Sequence, residues 1–184
     1  MAALLHELLA SASVAGRICV GLVFVLAALQ KAQHWRIFSG VLANYRLLPA
    51  IMIVPVALLL PPAEMLVGLL LLSAQFRPFG EWAAVALLGL FAVAMAVNLK
   101  RGRTEIDCGC GRSFLKQTLR WVLVWRNAGL AALLLPSLIF SGSIAMTTAL
   151  SGVAAGLAFF VLYLMLNVLS ALPPVQARPT TRFA

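Results

Sequence analysis

Long runs of hydrocarbon leave this chain few folds to choose from. A helix needs about 20 consecutive, mostly apolar residues to cross the core of a bilayer. Five stretches approach or exceed that length: about Ser13 to Gln30, Ala50 to Ala74, Trp82 to Leu99, Leu119 to Phe140 and Ile144 to Leu172. Lipid offers no hydrogen-bond partners, so each stretch must satisfy its own backbone groups, as a helix. The expected fold class is all-α: a polytopic membrane helix bundle of four to five transmembrane helices plus an interfacial amphipathic helix. Residues 1–172 form one domain, and the polar, Pro-rich segment 173–184 is expected to be a disordered tail.

Composition agrees. The 184 residues are 63% hydrophobic and 10% charged, with mean hydropathy +1.03. Soluble domains run at about 45–50% apolar and about 25% charged. The net charge of +9 would suggest nucleic acid in a soluble protein. Here the bases lie between apolar runs, which is juxtamembrane placement and argues against a nucleic-acid partner. The first apolar run has no strongly basic region before it, carries Arg17 inside it and ends without a small-x-small cleavage site, so it is read as a retained helix.

Local detail adds further expectations. The first and third spans are short and should extend into their flanks. The fourth and fifth are joined only by Ser141-Gly142-Ser143 and should be antiparallel neighbours. Pro55, Pro61 and Pro62 fall inside the second span, which should be kinked or broken near Pro61-Pro62. The fifth contains Gly152-Val-Ala-Ala-Gly156, spacing that lets helices approach closely, more within one chain than between copies. In the first connection Trp35, Phe38, Val41, Leu42 and Tyr45 fall near helical spacing beside Lys31, Arg36 and Arg46, an interfacial amphipathic helix.

Charge suggests an orientation. With five spans, the first connection and the loop holding Lys100, Arg101, Arg103, Arg112, Lys116 and Arg120 share a side, and Arg178 and Arg182 of the tail join them. The opposite side has little beyond Arg77. The positive-inside rule then puts this loop in the cytoplasm.

The same loop carries the sequence Glu105-Ile-Asp-Cys-Gly-Cys-Gly-Arg112. Two of the three cysteines, Cys108 and Cys110, stand one residue apart. A disulfide closed across so short a ring is strained, and Gly109 relieves part of the strain. Strained disulfides reduce readily and suit exchange. Arg101, Arg103 and Arg112 favour thiolate, and Asp107 could accept or relay a proton. A metal site wants about four ligands. The loop offers two cysteines and Asp107, and His34 would have to come from another connection. An inert pair is the other alternative.

Ionisable groups at bilayer depth usually face the bundle interior. Arg17, Glu64 and Arg126, the last beside Asn127, are such groups. Arg17 lies fourteen residues before Lys31 and Glu64 fourteen after Ala50. At about 1.5 Å per residue both are about 21 Å from the first connection and could pair. The alternative has Arg17 snorkelling and Glu64 protonated. Arg126, some 8–10 Å below the cysteine loop by the same rise, could support the loop, meet a thiolate, or contact a headgroup or quinone. Cys19 is expected to be an inert membrane thiol.

Several stretches in order, "NYRLLP" (44–49), "LPPAEMLVGLLLL" (60–72), "NLKRGRTEIDCGCG" (98–111) and Trp125-Arg126-Asn127, with Lys31 before them, resemble the methylamine utilisation protein MauE family, related to DoxX-like membrane proteins. The resemblance implies a multi-pass protein of the bacterial inner membrane that matures methylamine dehydrogenase, whose exported small subunit is disulfide-rich and carries a quinone cofactor. It implies a thioredoxin-like MauD-type partner, with Cys108 and Cys110 in thiol–disulfide exchange. That role wants the thiols on the outer side, opposite to the charge argument. The alternatives are a non-catalytic scaffold that docks the partner or the unfinished subunit, and a quinone-linked subunit of the DoxX kind using the Glu64 region.

Overall fold

In a computed structural model, residues 1–103, 119–140, 142 and 144–171 are described. The described chain is helical in the order α1 (Ala2–Gln33), α2 (Trp35–Tyr45), α3 (Ala50–Leu72), a 3-10 turn (Ala74–Phe76), α4 (Phe79–Lys100), α5 (Trp121–Ala132), α6 (Leu135–Ile139) and α7 (Met146–Ala171). Among the described residues, five helical spans are long and apolar enough to cross a membrane: Leu4–Gln33, Ala50–Leu72, Phe79–Lys100, Trp121–Ile139 and Met146–Leu169. The chain is therefore a multi-pass membrane bundle. The first and third spans do extend into their flanks, and the tail from residue 172 lies outside the described residues.

The hub is α1, which packs against α3, α6 and α7. Its contact with α7 is made by the expected small-residue stripe. A Cβ added to Gly152 would lie 2.9 Å from Ser11 O, and one on Gly156 would lie 2.8 Å from Ala15 O. Four residues along α7 match four along α1, so the two helices run parallel. On α1 itself, a Cβ at Gly16 would fall 2.0 Å from Leu133 O. Only glycine permits that approach of backbone to backbone.

Two expectations about helix continuity are corrected. First, of the kink or break expected near Pro61-Pro62, the break does not occur: α3 continues as one helix through both prolines. Its buried residues Ala57, Pro61, Glu64, Gly68 and Leu71 fall at spacings of three and four on one stripe, which is one continuous helical face. Packing of that stripe holds the helix through the lost backbone bonds. Second, the fourth span is two helices, α5 and α6, separated by a turn at Leu133-Leu134. Pro136 sits in the first turn of α6, where a missing N–H costs no intrahelical bond.

The core has two parts. Val20, Val23 and Phe24 of α1 meet Val67, Leu71, Ala84, Leu88, Leu130 and Leu134 in the bundle centre. Val41 and Tyr45 of α2 meet Met95, Leu119 and Leu123 in a smaller cluster at the end where α4 finishes. The first connection is thus the expected helix, α2, with Phe38, Val41 and Tyr45 turned inward and Trp35 and Ile37 exposed.

Candidate functional site

The segment bearing Asp107, Cys108, Gly109, Cys110 and Arg112 lies outside the described residues. What is described is the platform that launches it. Helix α4 ends in a Schellman arrangement: Arg103 N donates to Asn98 O (3.1 Å) and Gly102 N to Leu99 O (3.0 Å). Gly102 has φ +72°, the left-handed conformation this cap requires. Arg103 Nη1 then reaches Asn44 O at 3.4 Å. The "NYR" and "NLKRGR" stretches, 59 residues apart along the chain, therefore meet at one point, where the cysteine segment begins. Arg101 and Arg103 stand at that point, and this end of α4 and α2 share one face of the bundle.

Asn98 lies directly beneath. It is fully buried and donates Nδ2 to Ala94 O at 3.0 Å. Its Oδ1 has no hydrogen-bond partner among the described residues, and neither has Asn127 Nδ2 on α5. An unsatisfied buried polar atom costs about 1–3 kcal/mol, so each is available to a further group. Arg126, beside Asn127, is directed to α7: Nη1 donates to Asn167 Oδ1 at 2.6 Å, and the guanidinium lies 5.8 Å from the Tyr163 ring centroid.

The buried charges are partnered differently from expectation. Glu64 is bonded by Lys31, and Arg17 is not its partner. Arg17 donates to Leu71 O (2.9 Å) and Ser73 O (2.7 Å) and lies 3.5 Å from Glu81. Glu81 Oε1 also accepts from Arg77 Nε at 3.1 Å and from Ser137 Oγ at 2.7 Å, and Arg77 Nη2 donates to Phe140 O at 2.9 Å. One carboxylate thereby ties together α1, α4, α6 and the end of α3.

The pairing fails for a geometric reason. Arg17 is level with Leu71–Ser73, and Gly21 with Gly68. In that antiparallel register Gln33 is level with about residue 57, so roughly two turns of α3 project beyond α1. Equal residue counts from the connection do not give equal depth. Lys31 and Glu81 were missed as buried partners because each sits at a span end. Arg77 and Glu81, four apart before Trp82, were the available signal for the second network. Cys19 is buried at 1% exposure and free, far along α1 from the Gly102 cap. Among the described residues no group of three metal-ligating side chains occurs.

Comparison with known proteins places these features in a family. Residues 9–140 match the family described as Methylamine utilisation protein MauE. The chain is 40% identical over 168 residues, 90% of each chain, to methylamine utilization protein MauE of Paracoccus denitrificans. It is 41% identical over 157 residues to the protein of that name from Paracoccus versutus, covering 82% of this chain and 83% of the relative. For the Methylorubrum extorquens protein of that name the identity is 39% over 148 residues, 77% of this chain and 78% of the relative. No solved structure matches. With the family matched across most of the chain, and the relatives across most of theirs, this protein belongs to the MauE family of methylamine utilisation proteins.

Proposed function

We propose that this protein acts in maturation of methylamine dehydrogenase in the bacterial inner membrane, by thiol–disulfide exchange through Cys108 and Cys110. The observation that carries the reading is the platform. A Schellman cap at Gly102 and an Arg103–Asn44 bond fix the last described turn before the Cys-Gly-Cys segment. Of the three cysteines in the sequence, two follow within seven residues of Arg103. In the exchange, a Cys108–Cys110 disulfide is broken as a dithiol of the exported, disulfide-rich small subunit, or of a MauD-type thioredoxin-like protein, is closed. Two electrons and two protons pass from that dithiol to the loop, and the loop is reset when it passes them on to a disulfide of the other partner, which is reduced in turn. Asp107 takes or gives the proton, Gly109 permits ring closure, and Arg101, Arg103 and Arg112 favour the thiolate. Asn98, Asn127 and Arg126 belong to the supporting layer beneath.

The test is Cys108→Ser and Cys110→Ser, separately, in cells that depend on methylamine. Each should abolish active dehydrogenase while the membrane level of the variant stays at that of the parent. Normal maturation in both would refute the redox role and leave docking of the subunit or its partner as the function.

A further inference from the structure

Between α2, α3 and α4 lies a cavity of ≈ 300 Å³, on the same side of the bundle as the Gly102 cap. Small-molecule sites run from about 300 to 1,000 Å³, so it is large enough to hold a guest. Phe38, Leu60, Phe91 and Met95 are among its walls. Leu47 and Leu90 also line it and are exposed, so the chamber opens sideways into lipid. The one charged lining residue, Lys31, is bonded to Glu64 and lies over the Phe38 and Phe91 rings. The protein itself surrounds that charge, and the remaining wall is carbon. Apolar cavities stay dry and take apolar guests. In a bilayer the apolar guest at hand is an acyl chain.

The rim of the chamber carries charge of one sign. Arg46 caps α2 in the left-handed conformation, φ 47°, and immediately precedes Leu47. Its side chain is exposed and, among the described residues, makes neither a hydrogen bond nor an ion pair. Two residues back, Asn44 O accepts from Arg103 Nη1 at 3.4 Å. Arginines from two separate stretches of chain therefore meet at the mouth. No described acid offsets them there. Glu64 and Glu81 are buried, and Glu7 lies near the start of α1, at the other end of the bundle. Guanidinium groups are matched in geometry to phosphate oxygens. A zwitterionic headgroup would bring an ammonium up to two existing cations, whereas an anionic one brings only the phosphate charge they lack.

We propose that the cavity and its two arginines form a binding site for one anionic phospholipid. An acyl chain enters past Leu47 and Leu90 and lies between α2 and α4, and the phosphate is held at the mouth by Arg46 and Arg103. The bound chain fills the space behind α2 and so supports the Arg103–Asn44 bond, which holds α2 to the end of α4. The site is separate from Arg126, whose guanidinium is turned to Asn167 of α7. The assignment rests on the cavity and its rim and stands independently of the exchange chemistry proposed for the loop.

The full chain is reconstituted in nanodiscs of phosphatidylethanolamine with a minor share of phosphatidylglycerol. Native mass spectrometry then counts the lipids that stay on the protein after release, and thermal melting shows which variants are folded. Two lesions report independently. Arg46→Asn removes the charge with a residue that tolerates the left-handed conformation. Ala94→Phe fills the chamber that Ala94 lines, and Ala94→Leu takes its place should the larger ring prevent folding. Arg36→Asn is the control: it removes the same charge from the same helix, about 15 Å away, where the guanidinium lies over the Trp35 ring. The parent and the control should each retain one phosphatidylglycerol in preference to phosphatidylethanolamine. Arg46→Asn should lower its occupancy about fivefold, the share of one basic group near anionic lipid, and the filled chamber at least as much. A parent that retains no phosphatidylglycerol, or shows no preference for it, overturns the proposal. So does a loss confined to one of the two lesions, or an equal loss in Arg36→Asn, which would report a general surface field rather than a site.

Discussion

The Lys31–Glu64 pair shows how two buried charges come to depend on each other. Both groups are buried, so removing one partner strands the other. Lys31→Met should lower stability by about 3–5 kcal/mol, whereas Lys31→Met with Glu64→Gln should regain most of it. Thermal unfolding of the detergent-purified variants, with the double variant melting well above the single, checks this. Glu81→Gln weakens a carboxylate shared by Arg17, Arg77 and Ser137 and should also lower the melting temperature, without touching the cysteine segment. Cys19, buried on α1, should accept replacement by serine with full maturation activity. That result would confine the chemistry to the other two thiols. At this scale the sequence disclosed which groups are costly but not which ones meet. Arg17 and Glu64 were legible as buried ions from their place in apolar runs. Their partners depend on the register between α1 and α3, which no local pattern encodes.

At the scale of the helix, periodicity was a better guide. The five spans and α2 were readable because bilayer thickness fixes the length of one and apolar spacing marks the other. The break at Leu133-Leu134 and the continuity of α3 were not. Three prolines argue locally for a broken α3, yet its buried stripe keeps one face from Ala57 to Leu71. Tertiary packing decides such cases, and local rules cannot weigh it. Gly16 offers a sharp test of that packing. Gly16→Ala brings a Cβ to 2.0 Å from Leu133 O, where rigid backbone must give way. A loss of about 1–3 kcal/mol or more is expected. Gly40→Ala, with open space around it, should be neutral or gain up to about 1 kcal/mol of helix propensity. Equal melting temperatures for the two variants would contradict the contact. Gly102→Ala, at φ +72°, should cost about 1 kcal/mol through the cap alone. It should also slow maturation, because the cysteine segment starts from that turn.

For the whole molecule, the first connection and the end of α4 occupy one face of the bundle, as the count of five spans implied. Arg103 bonded to Asn44 O is the physical link. The positive-inside rule places this face in the cytoplasm, whereas oxidation of an exported subunit places it outside. A membrane-impermeant thiol reagent applied to intact cells after reduction separates the two: labelling of Cys108 and Cys110 reports an outer face, and protection an inner one. The most direct test of the central claim is the oxidation state of those two cysteines in the native membrane. Rapid acid trapping in a Cys19→Ser background, followed by alkylation and mass measurement, reads it for each molecule. Exchange predicts two populations two hydrogens apart before alkylation, whose ratio shifts when the thioredoxin-like partner or the unfinished subunit is supplied or withdrawn. A single state that no partner alters would contradict it.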